Sequence, residues 1–252
     1  LTDSNAKAVI VNSAYAPNLA DVLPQLPNIE LIVQVPDESD NELLTGAIFY
    51  NDFLQNHEPR NLDDCSPDDL YVLYTGGTTG MPKGVLWRNA DFFVGALGGL
   101  NRKENREYVS YAEIAKAADR GTLRWMTSAP FMHGAAQWIA LQALSMGHTV
   151  VLPDLTDRYD AASVLKACER EDVEFLQIVG DAFARPLLDA LKSGETVPTS
   201  LRSIISGGAV LNSALKEELK KQFNGVTIRD SIGSSETGVQ GSNVSTKEEK
   251  AS

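Results

Sequence analysis

Cysteine is nearly missing from this sequence. Cys65 and Cys168 stand far apart and share no metal-like spacing. Two free, buried thiols in a cytoplasmic chain are the plain expectation, and a disulfide-stapled miniprotein is excluded. Histidine is almost as scarce: His57, His133 and His148 form no H-x-x-x-H pair, which leaves a zinc site without support. No run approaches the roughly 18 consecutive apolar residues of a membrane-crossing helix, so no transmembrane segment is expected. Positive charge is in deficit as well. Lys plus Arg is 22 against 34 Asp plus Glu, a net charge of −12. That balance argues against nucleic acid or an anionic membrane surface as a broad partner, while leaving room for one small phosphate-binding loop.

What is present is ordinary globular material. The chain has 252 residues, 43% hydrophobic and 22% charged, which excludes collagen and a disordered tail. The length suits one large domain or two modest ones. It opens Leu-Thr-Asp-Ser-Asn, with neither an initiator Met nor a basic–apolar signal peptide, and reads as a piece of a longer protein. Short apolar runs, several β-branched and bounded by Gly, Pro or Asp, predict strands at 8–12, 30–35, 70–74, 123–128, 149–152, 174–179, 203–205 and 226–229. Helical patterns fall between them at 89–101, 135–146, 161–171, 183–192 and 213–223. Ser110 and Glu113 make a capping-box pair ahead of a short helix over 114–118. The alternation predicts an α/β fold with mostly parallel sheets flanked by helices. No internal repeat is visible, and no pattern sets an oligomeric state. Residues 37–41 and 57–69 read as loops, the second a surface loop in preference to a linker. Residues 242–252 form a polar tail expected to fray.

The densest chemical signal follows the strand at 70–74. Thr75-Gly76-Gly77-Thr78-Thr79-Gly80-Met81-Pro82-Lys83-Gly84 places glycines, threonine hydroxyls and a mobile lysine in one loop. Bare backbone N–H groups can close on an anion there, so the loop is built for phosphate. It is not a Walker A loop, because Pro82 precedes Lys83 and Gly84 follows it. No G-x-S-x-G elbow, no Rossmann G-x-G-x-x-G after a predicted strand and no basic–aromatic interleaving compete with it. Taken alone, Gly207-Gly208-Ala209 reads as a tight turn, His133 as a structural histidine, Trp138 as core, and Glu236 as a solvated acid.

The loop resembles the signature of the adenylate-forming superfamily: acyl-CoA synthetases, luciferases and peptide-synthetase adenylation domains. Three further segments are similar to that family's motifs in order. They are Ala129-Pro130-Phe131-Met132-His133-Gly134, Ser206-Gly207-Gly208-Ala209-Val210-Leu211, and Asp230-Ser231-Ile232-Gly233-Ser234-Ser235-Glu236-Thr237. Val210 stands where Pro is usual, Ile232 where Tyr is usual, and Ser235 where Thr is usual.

The resemblance implies that Thr75, Gly76, Gly77, Thr78, Thr79, Gly80 and Lys83 hold the β- and γ-phosphates of ATP. Ser235 would bond the α-phosphate, Glu236 would bind Mg²⁺, and Gly207, Gly208, Ala209, Asp230, Ser231, Ile232 and Gly233 would form the adenine wall. His133 would be a gate residue beside the reacting carboxylate, with Gln137, Trp138 and Gly208 lining an apolar acyl pocket. His133 and Glu236 are thus the catalytic candidates. Trp87-Arg88 after the loop, and the Ser-Ser-Glu-Thr-Gly variant, look most like long-chain and steroid-side-chain acyl-CoA ligases. The implied activity is ATP-dependent conversion of a carboxylate to an acyl-adenylate, then to a coenzyme A thioester.

Two alternatives stay open. An amino-acid adenylation domain needs a carboxylate for the substrate ammonium, and Asp181 is the available one. A non-catalytic nucleotide-binding module is the other. After Gly241 the family's T-G-D, hinge and small C-terminal domain with its catalytic lysine do not follow. Residues 1–241 are therefore expected to be part of the large N-terminal domain, binding nucleotide without completing the reaction alone.

Overall fold

A computed structural model describes residues 1–59, 65–76, 80–101 and 103–245. The chain divides into two compact units, Leu1–Cys65 and Ser66–Ser252. The boundary falls inside the segment expected as a surface loop, so that segment separates two units. Cys65, expected to be buried, is exposed; Cys168 is buried, and both thiols are free.

The first unit holds a parallel three-stranded sheet of β1 (Ala8–Asn12), β2 (Leu31–Val35) and β3 (Ala47–Phe49), with helices α1 (Ala16–Val22) and α2 (Tyr50–Gln55). Its buried Gln34 is fully used. The amide donates to Ser13 Oγ and to the Glu42 carbonyl, each at 3.0 Å, and its oxygen accepts from the Leu44 N–H at 3.0 Å. A buried polar side chain satisfied on both ends costs little and fixes the 42–44 loop.

The second unit begins with an antiparallel hairpin, β4 (Leu70–Thr75) and β5 (Lys83–Arg88), followed by α3 (Asn89–Ala96). A small pair, β6 (Leu100–Asn101) and β7 (Arg106–Glu107), leads to α4 (Tyr111–Ala118). The Ser110 cap is present, its hydroxyl accepting from the Glu113 N–H at 3.2 Å. Glu113 turns to the Val109 N–H and to Arg106 instead of closing the reciprocal arm. The predicted helix at 89–101 stops at Ala96, where the backbone turns through Gly98 at φ +87°.

The main sheet then forms from β8 (Arg124–Thr127), β9 (Thr149–Val151), β10 (Phe175–Ile178), β11 (Ser203–Gly207), β12 (Thr227–Ser234) and β13 (Gly238–Ser245). Its order is β13-β12-β11-β10-β8-β9, parallel except for β13 at one edge. The connecting helices are α5 (Gly134–Ser145), α6 (Ala161–Arg170), α7 (Gly180–Lys192) and α8 (Ser213–Gln222). The α/β architecture with a mostly parallel sheet is therefore as the sequence pattern predicts. Two ends differ. The motif segment 230–234 continues β12 in place of a loop, and residues 242–245, expected to fray, pair with it in β13. Backbone hydrogen bonds hold that polar strand, which needs no apolar period. The remainder of the expected tail lies outside the described residues.

The two faces of this sheet are unequal. Met126, Leu176, Ile178, Ile204 and Ile228 point to one face and pack on α6, α7 and α8 in a continuous core. The opposite face carries Trp125, Thr127, Phe175, Gln177, Ile205 and Arg229 in register across the strands. Leu176→Ala, at a fully buried position, is expected to cost about 2–5 kcal/mol from lost burial and a residual cavity. Urea unfolding of the chain measures it.

Candidate functional site

Strand order reverses at β8. The chain leaves β8 through α5 to reach β9 on one side, and later returns to β10 on the other side of β8. In an open parallel sheet the connections at such a point diverge to opposite faces, and ligands bind in the crevice left at the carboxyl ends. The residues that leave β8 here are 128–133, ending in His133, and those that leave β10 are Val179, Gly180 and Asp181. His133 is exposed and occupies the N-cap position of α5 without a side-chain capping bond.

Beside this crevice lies the 207–212 turn. Gly207 at the end of β11 is in register with Ser231 of β12. Gly208 follows at φ +87°, a conformation that favours glycine. Ala209 and Val210 are exposed, Val210 at 80%, and across from them Ile232 is 72% exposed. These glycines leave backbone and aliphatic side chain open on one shelf. Gly233 meets the backbone of Gly238 so closely that a Cβ would lie 2.2 Å from its carbonyl oxygen. The Asp230 carboxylate is taken by Lys216 Nζ of α8 at 2.6 Å.

The start of α7 holds the turn, a role that the sequence reading missed. The Gly180 N–H donates to Ser206 Oγ at 3.1 Å, and the Asp181 N–H to the Val210 carbonyl at 3.0 Å. Asp181 then accepts from both the backbone N–H and the amide of Asn212, at 2.8 and 2.6 Å. Asn212 uses its remaining oxygen to cap α8 on Leu215. The backbone N–H of Asn212 is the main cause that holds the Asp181 carboxyl below its ordinary value. Gly180 is required because a Cβ would sit 2.5 Å from the Val210 carbonyl oxygen. With both oxygens engaged, Asp181 is not placed to receive a substrate ammonium, which removes the support it lent to an amino-acid substrate.

The phosphate-loop candidates lie at the tip of the β4–β5 hairpin. Thr75 pairs with Lys83, Gly76 follows the strand, and Gly80 has φ +130°. Gly77, Thr78 and Thr79 lie outside the described residues. Four rings fasten the hairpin: Tyr71 stacks on Phe92 at 4.1 Å, and Trp138 meets the edges of Phe92 and Trp87 at 5.4 and 6.1 Å. The Tyr71 hydroxyl donates to Gln137 and accepts from Trp138 Nε1. Gln137 and Trp138 are thereby drawn into this cluster.

Trp87 also reaches across to the 235 carbonyl, its indole N–H donating at 2.8 Å. That bond ties the hairpin to the tight turn joining β12 and β13. Within the turn Ser234 Oγ is 3.0 Å from Thr237 Oγ1, and the Glu236 N–H donates to Ser234 Oγ at 3.3 Å. Ser235 is half-buried, and the Glu236 side chain is exposed with no ion-pair partner among the described residues. No cluster of three or more His, Cys, Asp or Glu side chains suited to a metal occurs among the described residues. A single carboxylate suits Mg²⁺, which keeps much of its shell for waters and phosphate oxygens.

The fold and this arrangement define an open α/β domain with a candidate site at the carboxyl edge of its sheet. The family model of the AMP-binding enzymes matches residues 1–252, and the chain belongs to that family. It is 45% identical over 249 residues to the medium-chain acyl-CoA ligase Mig of Mycobacterium avium, covering 98% of this chain and 45% of that protein. It is 34% identical to the 3-oxocholest-4-en-26-oate–CoA ligase of Rhodococcus rhodochrous, covering 97% of this chain and 45% of that protein. An anthranilate CoA ligase in complex with anthranoyl-AMP shares the fold, with a TM-score of 0.75 at 22% identity over 96% of this chain and 43% of its own. The chain spans about half the length of the curated relatives it matches.

The clamp generates a pH-dependent expectation. A carboxyl whose folded pKa is lowered contributes stability above its unfolded value, near 4, and that contribution is lost as pH falls through the folded value. Asp181→Ala should therefore lower the Tm near neutral pH and converge on the parent in acid. A constant Tm gap across that range would show that the carboxylate charge is not what holds the turn.

Proposed function

We propose that this chain contributes the nucleotide-binding half of an enzyme that activates a fatty or steroid-side-chain carboxylate with ATP and passes it to coenzyme A. The observation that carries the reading is the register of Gly207 with Ser231 at the carboxyl ends of two parallel strands, beside the exposed Ile232. Adenine would lie flat on the backbone of 207–209 and the aliphatic face of Ile232, because no side chain stands in its way. Thr75, Gly76, Gly80 and Lys83, with Gly77, Thr78 and Thr79, would surround the β- and γ-phosphates, and Ser235 would bond the α-phosphate.

Glu236 would hold Mg²⁺, which when bound supplies charge neutralisation at the phosphate oxygens. The protein's own part is positioning. It holds the acid's carboxylate oxygen in line with the α-phosphorus, where that bond forms as the bond to pyrophosphate breaks. The thiol of coenzyme A then attacks the acyl carbon and AMP leaves. His133, at the crevice where the chain diverges, would border the acid's carboxylate, with Gln137, Trp138 and Gly208 close to the same wall. Residues 1–241 would belong to one N-terminal AMP-binding domain, set in the cytoplasm. A second domain would be needed for the complete reaction.

Two measurements on the chain test the nucleotide site. Calorimetric titration with ATP should show magnesium-dependent tightening that Glu236→Ala abolishes; equal magnesium dependence in both proteins would sink the metal assignment. Gly207→Ala separates ligand from fold, because an added Cβ there approaches nothing in the protein closer than 3.7 Å. Its Tm should stay at the parental value while ATP affinity drops about tenfold, roughly 1.4 kcal/mol. Unchanged affinity would move adenine elsewhere.

A further inference from the structure

Three side chains from two elements form a short hydrogen-bond chain beside the start of α5. Trp138 Nε1 donates to the Tyr71 hydroxyl at 3.1 Å, and that hydroxyl donates to Gln137 Oε1. Tyr71 belongs to β4 of the hairpin, while its two partners are neighbours on α5. The hairpin seats closely on this helix, since a Cβ at Gly134 would lie 2.9 Å from Leu73 Cδ2 of β4. Phe92, only 3% exposed, stacks on the Tyr71 ring at 4.1 Å with the planes 4° apart. The hydroxyl is therefore held in one place. Burial pushes its pKa up, which keeps its proton on the oxygen.

The direction of this chain follows from its first member. An indole N–H donates and cannot accept, so the Tyr71 oxygen accepts from Trp138. Its own single proton then goes to Gln137, and only the oxygen of that amide can take it. A flipped amide would set its NH2 against the hydroxyl proton. Tyr71 thus decides which end of Gln137 is engaged, and the NH2 end is what remains. That end has no hydrogen-bond partner among the described residues, and the residue is half-buried. Gln34 shows the structural alternative, a glutamine with both ends engaged inside the fold. The Gln137 backbone N–H donates to the His133 carbonyl at 3.1 Å. The glutamine therefore stands one helical turn, about 6 Å along the axis, from the N-cap at the carboxyl edge.

We propose that Tyr71 is a positioning residue, which holds Gln137 with its NH2 end free so that this group donates to the carboxylate of the acid beside His133. The inference rests on the carboxylate-activation reading, to which it adds a residue and a polarity. The polarity sets the sign of the contact. A carboxylate only accepts, so it gains a charge-assisted hydrogen bond from the NH2 and meets repulsion from the amide oxygen. Without the Tyr71 hydroxyl the amide turns freely and the donor is no longer fixed. A neutral head group, which donates as well as accepts, is indifferent to the flip.

The test uses octanoate and octanol as probes, titrated into the chain by calorimetry. Tyr71→Phe keeps the ring on Phe92 and removes the hydroxyl. It should weaken octanoate about tenfold and leave octanol within about twofold. In a Gln137→Leu background, which has already lost the donor, Tyr71→Phe should weaken octanoate no further, because Tyr71 acts through the glutamine. Equal losses for acid and alcohol, additive losses in the double variant, or no loss at all overturn the proposal. A measurement on the unaltered chain guards against a variant that does not fold: the Gln137 side-chain amide resonances should move with octanoate and not with octanol. An amide that stays still while octanoate binds serves water only, which overturns the proposal and leaves the activation reading standing. Failure of the unaltered chain to bind octanoate overturns both.

Discussion

The reversal of strand order at β8 is the constraint on which the rest of the site depends. Because the chain leaves β8 for one face and β10 for the other, the two connections diverge beyond the carboxyl ends of these strands. The phosphate loop sits apart at the tip of the β4–β5 hairpin, and the other three of the four motif segments lie around that carboxyl edge. His133 enters it from the α5 side, the 207–212 turn borders it from β11, and the Gly180–Asp181 corner of α7 braces that turn from beneath. A parallel sheet without a reversal would have sealed the same edge.

Bracing is economical because the same atoms serve twice. Asn212 is at once the cap of α8 and the partner of Asp181, so the helix end and the turn are fixed by one side chain. Ser206 is wholly buried under the turn, and its hydroxyl receives the Gly180 N–H. Gly180 allows the close approach that these bonds need. The shelf is therefore rigid by hydrogen bonding, while its outer surface is bare.

Much of this was legible in the residues. The strands at 8–12, 149–151 and 203–207 announce themselves by β-branched runs, and the helix at 161–170 by its apolar spacing. The four motif segments mark the site, and three of them converge around the carboxyl edge. What was hidden is hidden for physical reasons. β13 is mostly glycine and polar residues, its two valines exposed, and the backbone of β12 makes it a strand. The role of Asp181 depends on Asn212, which is 31 residues away, and no local pattern carries that pairing. Gln137 and Trp138 have the spacing of a pocket wall, but Tyr71, from a distant hairpin, claims their polar atoms. The boundary near Cys65 carries the polar composition of any long loop, and contact density alone reveals it.

Trp87 grips its neighbour by the main chain, and this has a consequence for how the sequence can drift. Its indole N–H seeks the carbonyl of position 235, an atom that every amino acid supplies. The residue at 235 can thus change its side chain without loosening the anchor. Trp87 has no such freedom, because no smaller side chain spans the gap with both a donor and a ring edge for Trp138. Variation among descendants of this chain should accordingly be lopsided at this pair, permissive on the turn and strict on the hairpin.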